Sequence, residues 1–152
     1  MEDAMGDGLI STVAAQLRYD EGVRKTAYKD HLGYLTIGVG RLIDASRAGA
    51  GLRDGEIEML LRNDIMDRVS QLSKRLPWFN DLDEARQGVL VNMAFQLGVD
   101  GLMGFRTTLD LIGKGLYTEA SEQMLKSKWA SQTPARARRM SEQMKTGRWV
   151  NP

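Results

Sequence analysis

Three residues in the first quarter of the chain have the types and spacing for acid–base work. Glu21 stands where a helix is expected to end, Asp30 follows after eight intervening residues, and Thr36 after five more. Two carboxylates in different environments are the minimum equipment for breaking a glycosidic bond, one protonated to donate to the leaving oxygen and one ionised to activate water or attack. Glu21 suits the donor role because a helix-end carboxylate faces the negative end of the helix dipole and here adjoins Asp20. Asp30 lies in an expected turn, beside Gly33, with room for solvent and substrate, as a base requires. Thr36 offers a hydroxyl that could share a water with that carboxylate. Each residue also has a plain reading, as a solvated helix-end Glu, a solvated turn Asp and a strand Thr chosen for its shape, and the pattern by itself leaves both open.

Other chemistries find less material. The glycines of Gly38 to Gly40 lack the third glycine and following helix of a dinucleotide site, and no phosphate-loop lysine follows them. With one histidine, His31, and no cysteine, histidine metal clusters and Ser-His-Asp or Cys-His triads are strained, so neither a cofactor nor a metal is expected.

The elements that must position these residues follow from periodicity. Ile10, Val13, Ala14 and Leu17 predict a first helix over about 8–21, stopped by Gly22. Residues 26–40, dense in Tyr, Thr, Ile and Val and punctuated by glycine, predict two or three short strands, and 45–51 a loop. From Asp54, read as an N-cap, apolar positions keep a helical period to Leu76, before Pro77. A buried helix is expected over 81–97 with Gly98 as its cap, and shorter helices around Leu102 and over 107–112, 118–130 and 134–144, with Thr118 and Thr133 as N-caps and Pro134 at a first helical position. The prediction is an α+β fold of two lobes. The helix 8–21 and a small antiparallel sheet lobe over about 23–53 are joined by a long connecting helix, about 54–76, to a mostly helical lobe, 77–152.

With 152 residues the chain fits one compact unit with at most a minor lobe. Charged residues at 27% and hydrophobic ones at 42% exclude a wholly disordered chain. The absence of cysteine suits synthesis in a reducing cytoplasm. The apolar runs 88–97 and 9–15 are interrupted and too short to span a bilayer, and Glu2, Asp3 and Asp7 replace the basic start of a signal peptide, so no membrane insertion and no export signal are expected. Net charge is +1, which gives little global field for a polyanion. The segment 126–148 is nevertheless basic, with Glu142 its one acid, and is read first as a solvated helix face. No nucleic-acid partner is expected, since Arg136, Arg138 and Arg139 are not interleaved with aromatics and no reader motif is present.

The stretch LRYDEGVRKTAYKDHLGYLTIGVGRL, residues 17–42, resembles the active-site region of the phage T4-type lysozyme family, whose motif is a helix-end Glu, an Asp after eight residues and a Thr after five more. The resemblance continues through NMAFQLG at 92–98, GFRTTL at 104–109, KSKWASQTPARARR at 126–139 and TGRW at 146–149, in order along nearly the whole chain. It implies a two-lobed lysozyme fold that hydrolyses the bond from N-acetylmuramic acid to N-acetylglucosamine with inversion, with Glu21 as general acid and Asp30 and Thr36 holding the water. By matching position, Leu42, Phe95, Gln96, Thr108 and Gln123 would line the saccharide cleft. Plain core packing is the alternative for Leu42 and Phe95, and Thr108 and Gln123 replace the Ser and Asn of the T4-type pattern.

The partner so implied is the peptidoglycan glycan strand, met by a monomer that is made in a host cytoplasm and reaches the wall after holin-type release. Arg41 departs from the family pattern, which has a His there; an ion pair to an acid on the long helix, such as Asp64 or Asp67, is expected, and a contact to a substrate carboxylate is the sharper alternative. The segment 45–54 is shorter than its T4-type counterpart. Competing readings are a lytic transglycosylase, against which Asp30 and Thr36 speak, and a non-catalytic wall-binding or virion structural module, against which Glu21 and Asp30 speak.

Overall fold

The computed structural model describes residues 4–43 and 51–152, so most of the loop expected at 45–51 lies outside the described residues. The chain divides into two compact units, 1–59 and 60–152, and the division falls within the longest helix.

In the first unit, α1 (Ala4–Glu21) begins four residues before the expected start and ends on Glu21, where the Gly22 N–H closes on the Arg18 carbonyl at 3.0 Å. Strands β1 (Arg24–Lys29), β2 (Leu35–Gly38) and β3 (Arg41–Leu42) then form an antiparallel sheet in the order β1-β2-β3. Tyr28 pairs with Thr36 and Thr36 with Leu42, so these three share one face in a cross-strand row. An irregularity lies between Arg24 and Tyr28. Gly33 adopts φ +87°, a left-handed conformation that closes the β1–β2 turn and that a side chain would oppose.

Helix α2 (Asp54–Arg75) takes Asp54 as its first helical residue rather than its cap, and the Glu56 and Ile57 N–H groups turn back onto the Arg53 carbonyl. Acids in its first turn and Lys74 and Arg75 in its last complement the helix dipole. The second unit continues with α3 (Glu84–Leu97), α4 (Val99–Met103), α5 (Arg106–Gly113), α6 (Tyr117–Leu125), α7 (Lys128–Gln132) and α8 (Pro134–Thr146). Its core gathers Leu72, Phe79, Leu90, Met93, Ile112 and Met144, all essentially inaccessible to solvent.

Two expected helices are interrupted, and side-chain caps are the reason. The helix expected over 81–97 is a short 3-10 turn (Phe79–Asp81) followed by α3, because Leu82 is extended and the Asp83 carboxylate accepts the Arg86 N–H. The helix expected over 118–130 becomes α6 and α7, because Ser127 is extended and its hydroxyl accepts the Ala130 N–H. Thr118 lies inside α6 and is not its cap, and the Thr133 hydroxyl donates back to the Trp129 carbonyl instead of capping α8. Pro134 does open α8, and Gly98 does close α3. Among the described residues, no helix is long and apolar enough to cross a membrane.

Candidate active site

Glu21 is the last residue of α1 and its side chain is exposed. The β2–β3 turn lies against it: a Cβ built on Gly40 would fall 2.9 Å from Glu21 Oε2.

Asp30 occupies the β1–β2 turn and organises it. Its Oδ1 accepts the backbone N–H of Leu32 at 2.9 Å and of Tyr34 at 2.8 Å, while its own N–H donates to the Tyr34 carbonyl. Two donors on one oxygen fix the plane of the carboxylate, and no hydrogen bond from a described residue reaches Oδ2. Thr36 is 2% exposed, and its hydroxyl donates to the Tyr34 carbonyl at 3.0 Å. The hydroxyl is thus joined to Asp30 through one residue, and with its proton committed it keeps only acceptor capacity. Leu42, half-buried, sits opposite Thr36 on β3.

Arg41 makes the expected ion pair with an acid of the long helix, and the acid is Glu56 rather than Asp64 or Asp67. Its guanidinium engages both Glu56 oxygens, Nη2 to Oε1 at 2.8 Å and Nη1 to Oε2, and Nη2 also donates to the Gly51 carbonyl. Glu56 Oε1 meanwhile accepts the Arg53 N–H at 2.8 Å, as the third helical residue does in a capping box. The choice of acid follows from reach, since β3 is brought beside the first turn of α2, where Glu56 lies.

In the second unit the expected saccharide residues separate. Thr108, buried on α5, and Gln123 on α6 line one cavity of about 500 Å³ together with Phe105, Arg106, Lys126, Lys128 and Trp129. Phe95 lines a different one, of about 530 Å³, with Leu61, Ile65, Val69 and Trp149, and the Arg68 guanidinium stands 5.4 Å from its ring centre. Gln96 accepts the Trp129 indole N–H at 2.9 Å. Trp129 is 4% exposed and meets the Phe105 ring edge-on at 6.0 Å between centres. Trp129 lies in the family-like stretch 126–139, and its signal in the sequence is an aromatic N–H, which needs an acceptor once buried.

Arg136 and Arg139, read from sequence as part of a solvated cationic face, are half-buried, and Arg136 donates to the Asn92 side chain at 2.8 Å and to its carbonyl at 3.2 Å. Arg138 is exposed as expected.

A small antiparallel sheet after a first helix, followed by an all-helical unit, is the architecture of a lysozyme fold, and its first unit carries a helix-end Glu, a turn-locked Asp and a strand Thr. A family model described as phage lysozyme matches residues 18–142, and the chain belongs to that family. It is 29% identical over 164 residues to each of two proteins of Dictyostelium discoideum, "Probable T4-type lysozyme 1" and "Probable T4-type lysozyme 2", covering 91% of this chain and 96% of each of them. It is also 33% identical over 160 residues to the "Pre-baseplate central spike protein Gp5" of Enterobacteria phage T4, covering 90% of this chain and 28% of that protein. Membership implies peptidoglycan-hydrolysing activity.

Proposed function

We propose that the protein is a muramidase that hydrolyses the β-1,4 bond between N-acetylmuramic acid and N-acetylglucosamine in bacterial peptidoglycan with inversion of configuration. Glu21 donates its proton to the leaving glycosidic oxygen. Asp30 accepts a proton from a water held on the opposite face of the sugar, and the Thr36 hydroxyl accepts the second hydrogen of that water. The observation that supports this reading best is the link from Thr36 through Tyr34 to Asp30: the hydroxyl proton is spent on the Tyr34 carbonyl, and Asp30 Oδ1 is spent on backbone donors. Among the described residues, what remains is a carboxylate oxygen and a hydroxyl lone pair, two acceptors suited to orienting one water. Thr108 and Gln123, which share a cavity, are read as saccharide contacts, as is Leu42 opposite Thr36. Gln96 acts on that cavity through Trp129, and Phe95 is a saccharide contact on the separate cavity it lines.

The experiment is proton NMR of freshly cleaved soluble peptidoglycan oligosaccharide, read before mutarotation. Direct displacement by water turns the β-linkage into an α-anomer first. A β product would mean that Asp30 attacks carbon itself, and a 1,6-anhydro product would replace hydrolysis by the transglycosylase reaction.

A further inference from the structure

We propose that Gly40 is a positioning residue for the Glu21 carboxylate, an inference that rests on reading Glu21 as the proton donor. One fact favours glycine there, and a second ties the position to Glu21. Its φ of +67° is left-handed, where a side chain is strained. Independently, the place a Cβ would occupy is taken by Glu21, at 2.9 Å from Oε2, 3.1 Å from Cδ and 3.2 Å from Cγ. The peptide at Gly40 therefore forms a wall against which the end of the Glu21 side chain rests. An exposed Glu at a helix end otherwise samples many rotamers, and a proton donor works only from a narrow range of positions.

The wall is itself held. Gly38 pairs with Arg24, the first residue of β1, and Arg41 pairs with Ile37. Beyond the turn, the Arg41 fork grips Glu56 in the first turn of α2 and the Gly51 carbonyl. The route from α2 through Arg41 and Gly40 to Glu21 gives the arginine a task in the reaction without contact to substrate, in place of the substrate contact that sequence left open.

The test compares Gly40→Ala with Gly40→Asn. Asn tolerates the left-handed backbone and Ala does not, but both add the Cβ that collides with Glu21. Two readouts are needed: kcat and KM on soluble peptidoglycan fragments, and the 13C resonance of the Glu21 side-chain carboxyl, assigned with Glu21→Gln. Displacing a catalytic group by about 1 Å costs on the order of 100-fold, so both variants should lose about 10- to 100-fold in kcat with KM little changed, and both should move the Glu21 resonance. Arg41→Met, which leaves Gly40 in place, should move the same resonance and lower kcat by a smaller factor. Full kcat in a folded Gly40 variant, or activity restored in Gly40→Asn relative to Gly40→Ala, would overturn the proposal, the second by tracing the loss to backbone strain. An unmoved resonance overturns it whatever the activity. A wild-type protein without activity on peptidoglycan would instead refute the reading of Glu21, and the resonance would still report the contact.

Discussion

Replacing Gln96 by Met removes the acceptor of the Trp129 indole N–H while keeping the side chain about as long. The hydrogen bond is 2.9 Å and Trp129 is 4% exposed, so water has little access to take over. A buried donor left without a partner costs about 1–3 kcal/mol, and the added apolar character of Met at a half-buried site returns only a few tenths, which leaves a net loss of about 1.5 kcal/mol. For a unit of this size that corresponds to a drop in Tm of roughly 6–12 °C. Trp78, Trp129 and Trp149 all lie in the second unit, so urea unfolding followed by tryptophan fluorescence reports on that unit alone. Trp129→Phe supplies the control: once the N–H is gone, Gln96→Met should cost about 1 kcal/mol less, and that coupling is the signature of the bond. Stability within about 0.5 kcal/mol of wild type, together with a raised KM, would refute the reasoning and make Gln96 a direct saccharide contact.

A second stability prediction concerns Arg86. Its guanidinium donates to the Met144 and Lys145 carbonyls at the end of α8, pairs with Asp83 and covers the Tyr117 ring at 3.7 Å, so Arg86→Lys, which keeps charge but loses the planar fork, should destabilise the helical unit by about 1–2 kcal/mol in the same urea assay. Arg106, Lys126 and Lys128 line the Thr108 and Gln123 cavity with no acid among its lining residues. Changing all three to Gln should raise KM for peptidoglycan a few-fold at low salt and much less at about 0.5 M salt, where charges are screened within a few ångströms. A loss independent of salt would show that the three act by close contact instead.

The parts legible in the sequence were those set by local chemistry. Gly22 and Gly33 mark where a helix stops and a turn closes, and these fixed the end of α1 at Glu21 and the turn at Asp30. The breaks before Asp83 and at Ser127 were hidden because apolar periodicity continues across them, and one capping hydrogen bond in each case outweighs it. The partner of Arg41 depends on how β3 returns toward α2, which spacing along the chain does not encode. Phe95 and Gln96 show the same limit within one helix. Consecutive residues point about 100° apart, and two side chains expected together by position part company: Phe95 lines one cavity, and Gln96 bonds Trp129, which lines another.

The central claim is that Glu21 supplies the proton that breaks the glycan strand. Glu21→Gln changes one oxygen to nitrogen on an exposed side chain, so the fold should survive with an unchanged Tm. Release of reducing ends from purified peptidoglycan, measured against wild type at equal concentration, should fall by at least about 100-fold when the general acid is lost. A folded Glu21→Gln protein that releases reducing ends within a few-fold of wild type would contradict the account.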